Sequence, residues 1–254
     1  MLAILLAAAL EAQRIVSLAP SLTEDLFAIG AGARVIAVDR YSARLAQARG
    51  LPQVGSMLDA TPERILALHP DLVVGVPLEA PALAALERAG VRTEVLSSDT
   101  LTQDFSTMLR LGRLTGTAPR AEALVRQLRA GLVHVERAAA RQRRLRAFVV
   151  VATAPIYTAG RGSFVDELLR LTNVENTAAS SMPWTPYSPE RLVSAHPDIL
   201  IVSKDAEIDP HEAPWSLLYA VRASRVIHLA DDLVPGPHVV ELLEHLMRAL
   251  DRLR

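Results

Sequence analysis

The sequence predicts an α/β protein of two similar lobes joined by a single long helix. Three observations carry this prediction. One segment occurs twice, beginning at Thr61 and at Ser188, half of the 254-residue chain apart. Apolar strand-like runs alternate with helical patterns around each copy, as in βαβ units with a mostly parallel sheet. One uninterrupted helical stretch separates the copies.

Residues 2–10 are apolar throughout, too short to cross a bilayer, which takes about 20 residues, and of the right length for the core of a signal peptide. Residues 1–12 are therefore expected to be a leader. The N-terminal lobe should cover 13–118. Its first strand is Arg14–Leu18, and the next helix opens with Ser21 as N-cap and Glu24 three residues on, stopping at Gly30-Ala31-Gly32. Val35–Val38 is a strand.

The first repeat copy runs Thr61-Pro62-Glu63-Arg64-Ile65-Leu66-Ala67-Leu68-His69-Pro70-Asp71 into the strand Leu72–Val76. Thr61 caps a short helix, Pro62 occupies its first position, where a missing N–H costs nothing, and Pro70 ends it. A helix over Ala80–Arg88 and a strand over Thr93–Leu96 follow.

Between residues 119 and 144, Leu124, Leu128, Leu132 and Val135 recur at helical spacing without a proline, predicting the connecting helix. Its arginines read as a solvated face, since Glu122 and Glu136 interrupt them. The C-terminal lobe, 145–254, restarts with a strand over Ala147–Thr153 and a helix over Ser163–Leu171. The second repeat copy, Ser188-Pro189-Glu190-Arg191 to His196-Pro197-Asp198, then leads into Ile199-Leu200-Ile201. Val226–Leu229 is the last strand, and an amphipathic helix closes the chain after Gly236-Pro237.

Composition narrows the function. Net charge is −1, which argues against a protein built to grip nucleic acid. There is no cysteine, so disulfides and thiolate metal sites are excluded, and an anchor lipid on an N-terminal Cys is not expected. An exported form is expected free in a periplasm, as a monomer. No nucleophile elbow, phosphate loop, dinucleotide glycine pattern or His-Glu-x-x-His occurs, so an enzyme is not expected. His69 and His196 belong to the repeated turns and the other histidines are scattered. Neither a protein-built metal centre nor a cofactor is expected.

With two Trp and four Tyr in the chain, their placement carries information. Trp184 and Tyr187 lie among Met182, Pro183 and Pro186 in a loop before the second repeat helix, suited to stacking on a flat ligand. Tyr41 follows the second strand, Tyr157 follows the first strand of the second lobe, and Trp215 follows Pro214. Met57 is a candidate apolar wall. Two lobes make a cleft for a small molecule, so Tyr41, Met57, Tyr157, Trp184 and Trp215 are the ligand-binding candidates. Glu79 and Glu207 come after corresponding strands of the two repeats, and a carboxylate on each lobe would steer docking onto a basic partner.

Taken together, the stretches Arg14-Ile15-Val16-Ser17-Leu18-Ala19-Pro20-Ser21-Leu22-Thr23-Glu24, Leu51–Gly55, Pro62–Asp71, Thr158–Phe164, Pro183-Trp184 and the second repeat copy resemble the periplasmic binding proteins for cobalamin, iron-siderophores and haem. They span the chain after the leader, in family order. The resemblance implies the class III fold, two Rossmann-like lobes on one rigid helix, and a soluble binding protein that delivers its ligand to the membrane permease of an ABC importer. It favours cobalamin, with Trp184 in the matching Pro-Trp loop and Tyr41 at the matching tyrosine. Haem or an iron-siderophore is the second reading, and an enzyme or metal-handling protein on the same architecture the third. The family docks through one acidic residue per lobe, which implies Glu79 in the first and either Glu207 or the Asp231-Asp232 pair in the second.

Overall fold

β1 (Ile15–Ser17) is buried along its whole length and begins a four-stranded sheet in the order β2-β1-β3-β4, all parallel. The computed structural model describes residues 11–55, 62–229 and 233–254. The leader over 1–10, the Thr61 cap, Met57 and the Asp231-Asp232 pair lie outside the described residues. The chain divides into two units, Met1–Gln127 and Leu128–Arg254.

In the first unit β1 is followed by α1 (Pro20–Ala28), β2 (Val35–Val38), α2 (Pro62–Leu66), β3 (Leu72–Gly75), α3 (Ala80–Arg88), β4 (Thr93–Val95) and α4 (Leu101–Leu114). α1 starts at Pro20 rather than after a Ser21 cap. The ring at the first helical position presets its φ, and the Ser21 hydroxyl is instead paired with the Ser98 hydroxyl at 2.9 Å. Ala12, expected in the leader, is buried and donates its N–H to the Leu114 carbonyl at 2.9 Å, so the folded unit includes it.

α5 (Ala118–Ala139) leads from the first unit into the second. It stops five residues short of the expected end. Arg141-Gln142-Arg143-Arg144 offers no apolar side chain to bury, and the Gln142 N–H turns back to the Ala139 carbonyl at 2.9 Å.

The second unit contains β5 (Leu145–Val150), β6 (Ala152–Thr153), β7 (Ile156–Ala159), α6 (Phe164–Leu171), β8 (Val174–Asn176), β9 (Trp184–Pro186), α7 (Pro189–Ala195), β10 (Ile199–Val202), α8 (Tyr219–Arg222), β11 (Val226–His228) and α9 (Val239–Asp251). Its parallel sheet runs β8-β5-β10-β11, the same order as the first sheet with β5 in the place of β1 and β10 in the place of β3. An additional antiparallel sheet, β6-β7-β9, has no counterpart among the described residues of the first unit.

Both faces of each parallel sheet are covered, which is why the central strands read as continuous apolar runs. On β5, Leu145, Ala147 and Val149 join one core while Phe148 and Val150 join the other. β10 divides likewise, Ile199 and Ile201 from Leu200 and Val202. In the first unit Ile15, Leu72 and Val74 face one core and Val16 and Val73 the opposite one.

The repeat has a physical reason. After α2 and α7 the chain reverses through His69 (φ 48°) and His196 (φ 45°), left-handed positions that precede the prolines, which disfavour a further helical turn. Ser188 caps α7 by accepting the Arg191 N–H at 3.2 Å.

Candidate functional site

Open α/β sheets hold ligands outside the carboxyl ends of their strands. In the first unit Tyr41 follows β2. Its turn is fixed by Asp39, whose carboxylate accepts the Tyr41 N–H at 2.8 Å, the Ser42 N–H at 3.1 Å and the Ser42 hydroxyl. Burial pushes the Asp39 carboxyl above its ordinary value of 3.8, and these hydrogen bonds pull it back in part. Tyr41 is 43% exposed and carries the Arg44 guanidinium 5.7 Å from its ring centroid. Leu78, after β3, is 57% exposed, an apolar side chain that sequence reasoning passed over beside Val76-Pro77.

In the second unit Trp184 lies on β9 and not in a loop. β9 pairs with β7, and Gly160 makes room for it: a Cβ there would sit 2.3 Å from the Met182 carbonyl oxygen. Ala159 opposes Trp184 and Tyr157 opposes Pro186, so Tyr157 and Trp184 stand on one face of the small sheet as diagonal neighbours. Trp184 is 42% exposed, next to Met182, which is exposed as well.

Trp215 is placed differently. It is 6% exposed, packed in the core with Phe148, Tyr187 and Leu218, and it also walls a cavity of about 940 Å³. Glu207 lines the same cavity, as does Tyr187, whose ring meets Phe148 at 5.0 Å between centroids and carries the Arg191 guanidinium at 4.5 Å. Tyr187 was legible in the aromatic pair around Pro186.

The expectation of an exposed Glu79 is not met. Glu79 is 1% exposed, and its Oε2 accepts the Val76 N–H at 2.6 Å, closing the turn after β3. Its pKa is raised, chiefly by burial and to a smaller degree by the Asp39 charge. The carboxylates that the repeat does place equivalently and leave exposed are Glu63 and Glu190, each in the first turn of its helix, α2 or α7. Nothing in the notion of "an acid after the strand" pointed to them. The repeat itself did, since both are among its identical residues.

Among the described residues no group of three or more His, Asp or Glu side chains could hold a metal ion, and no helix is long and apolar enough to cross a membrane. The sequence pattern of the periplasmic binding proteins matches residues 15–233. The chain belongs to that family. The ABC transporter substrate-binding lipoprotein YvrC of Bacillus subtilis is 27% identical over 94% of this chain and 80% of its own length. The vitamin B12-binding protein of Yersinia pseudotuberculosis is 30% identical, covering 80% of this chain and 74% of its own. The periplasmic heme-binding protein RhuT from Roseiflexus superposes with a TM-score of 0.84 at 27% identity, over 95% of this chain and 99% of that one. The two-unit α/β architecture is thus that of the class III binding proteins, as expected from the sequence.

Proposed function

We propose that this protein is the periplasmic substrate-binding component of an ABC importer, capturing a metal-bearing macrocycle or chelate, with cobalamin as the favoured ligand. The observation that carries this reading is the family match across residues 15–233. A vitamin B12-binding relative and an exposed aromatic in each unit, Tyr41 after β2 and Trp184 on β9, support the choice of ligand class. Heme-binding structural neighbours support haem as the second reading. The chain acts by binding alone. It holds the ligand against aromatic faces, whose contacts suit a flat conjugated surface, and hands it on without breaking a bond.

Delivery to the permease runs through Glu63 and Glu190, which replace the pair with Glu79 expected from sequence. A docking carboxylate has to reach solvent, and Glu79 does not. Charge on exposed first-turn positions steers association and sets register more than it adds affinity. Incubating the purified protein with cyanocobalamin, haem and a ferric siderophore, desalting, and recording absorption spectra tests the reading. Retained corrin absorbance supports it. Retention of haem alone moves the assignment to the second ligand.

A further inference from the structure

The cavity in the second unit differs chemically from the strand face that carries Tyr157 and Trp184. It is built from two segments that leave the sheet at its carboxyl edge: the turn Thr153–Ile156, after β5, and the stretch Glu207–Trp215, after β10. Its volume of about 940 Å³ is in the range of small-molecule sites and far beyond what one side chain fills. Tyr187 and Trp215 supply aromatic walls.

Its charge is one-sided. Glu207, Asp209 and Glu212 line it, while no Lys, Arg or His does. All three carboxylates are exposed, and none makes an ion pair among the described residues; the His211 N–H donates to Asp209 at 2.8 Å. Arg191, which is not part of the cavity lining, already holds its guanidinium 4.5 Å from the centroid of the Tyr187 ring.

We propose that this cavity receives an uncharged or cationic part of the carried ligand and selects against polyanionic chelates. The inference rests on the binding-protein reading above and goes beyond it by ordering ligands by charge. A corrin edge bearing carboxamides, or a ferric hydroxamate with a pendant ammonium, meets acceptors and aromatic faces. Haem propionates or a ferric tricatecholate meet three like charges, whose repulsion at this exposed rim is screened as salt rises.

Intrinsic tryptophan fluorescence provides the test, with cyanocobalamin, a cationic ferric trihydroxamate, haem and a ferric tricatecholate as probes. The expected order places the first two ahead of the last two, with affinity for the cationic probe falling as salt rises. The variant Glu207→Gln/Asp209→Asn/Glu212→Gln is expected to weaken the cationic probe on the order of tenfold and to strengthen the tricatecholate. Because the salt series on the unaltered protein needs no variant, the inference stays testable even if the triple substitution destabilises the fold. Chelate binding that ignores probe charge, salt and the triple substitution overturns this inference alone. Binding of none of the four overturns the carrier function and this inference with it.

Discussion

Arg14 and Asp71 exchange hydrogen bonds: the Asp71 carboxylate accepts the Arg14 backbone N–H at 3.0 Å, and the Asp71 N–H donates to the Arg14 carbonyl at 3.0 Å. Arg146 and Asp198 repeat the pattern, at 2.8 Å in each direction. The aspartate of each His-Pro-Asp turn thus fastens the start of the neighbouring strand, β1 or β5, just before the parallel ladder to β3 or β10 begins. The Arg14 side chain adds bonds to the Leu68 and His69 carbonyls, and that of Arg146 to the His196 carbonyl. Returning unchanged in both halves is what such a clamp requires.

Removing the clamp costs stability in one unit at a time. Asp71→Ala leaves the N–H groups of Gln13 and Arg14 without their acceptor. The turn is solvent-accessible, so water replaces part of the loss, and the expected cost is about 1–2 kcal/mol. Urea unfolding should show a lowered midpoint for Asp71→Ala and a comparable one for Asp198→Ala. Unchanged midpoints in both would mean that the backbone ladder alone holds the turns.

Asp25 of α1 is buried with both carboxyl oxygens lacking a hydrogen-bond partner, and Asp104 of α4 and Glu24 are its charged neighbours. Burial, then Asp104, then Glu24 raise its pKa well above 3.8. The protonated acid is the form that the fold accommodates. Its contribution is therefore complete below the unfolded value and is lost as pH rises through the raised folded value. Asp25→Leu should raise the melting temperature at neutral pH by a few degrees and flatten the pH dependence from about pH 4 upward. A lower melting temperature at neutral pH would show that the carboxyl has an ionic role.

Glu63→Ala with Glu190→Ala should leave ligand affinity intact and abolish most uptake through the cognate importer, with the remaining uptake sensitive to salt. Glu79→Ala should instead lower stability, because it strips the turn after β3 of its acceptor. If the Glu63/Glu190 variant transports normally, docking does not run through the repeat.

Trp184→Ala should weaken binding by roughly 1–3 kcal/mol if its ring stacks on the ligand. Tyr157→Ala, its diagonal neighbour across β7 and β9, should act in the same direction. Equal affinities for the two variants and the unaltered protein would assign this face a structural role.

Much of the fold was legible because it rests on local signals. The apolar run Val35–Val38 and the helix Ala80–Arg88 with glycine beyond it were read as the structure has them. α4 went unread although Thr100 caps it and accepts the Gln103 N–H at 3.2 Å, with Leu101, Phe105, Met108 and Leu111 buried along it. That signal was present in the sequence. The strand at Trp184 was not, since the three residues Trp184-Thr185-Pro186 extend only because β7 lies alongside. Nor was the burial of Glu79, which depends on the Val76 N–H closing over it. A carboxylate after a strand reads as solvated unless the turn that captures it is known.

The central claim is that the chain carries a chelate and does not transform it. The most direct measurement is to load the purified protein with cyanocobalamin, isolate the complex by gel filtration, release the ligand by denaturation and analyse it by mass spectrometry. The account predicts one equivalent of cobalamin recovered chemically unchanged. A modified corrin would contradict a carrier without bond chemistry, and an empty protein that retains neither cobalamin nor haem nor a ferric siderophore would contradict the account as a whole.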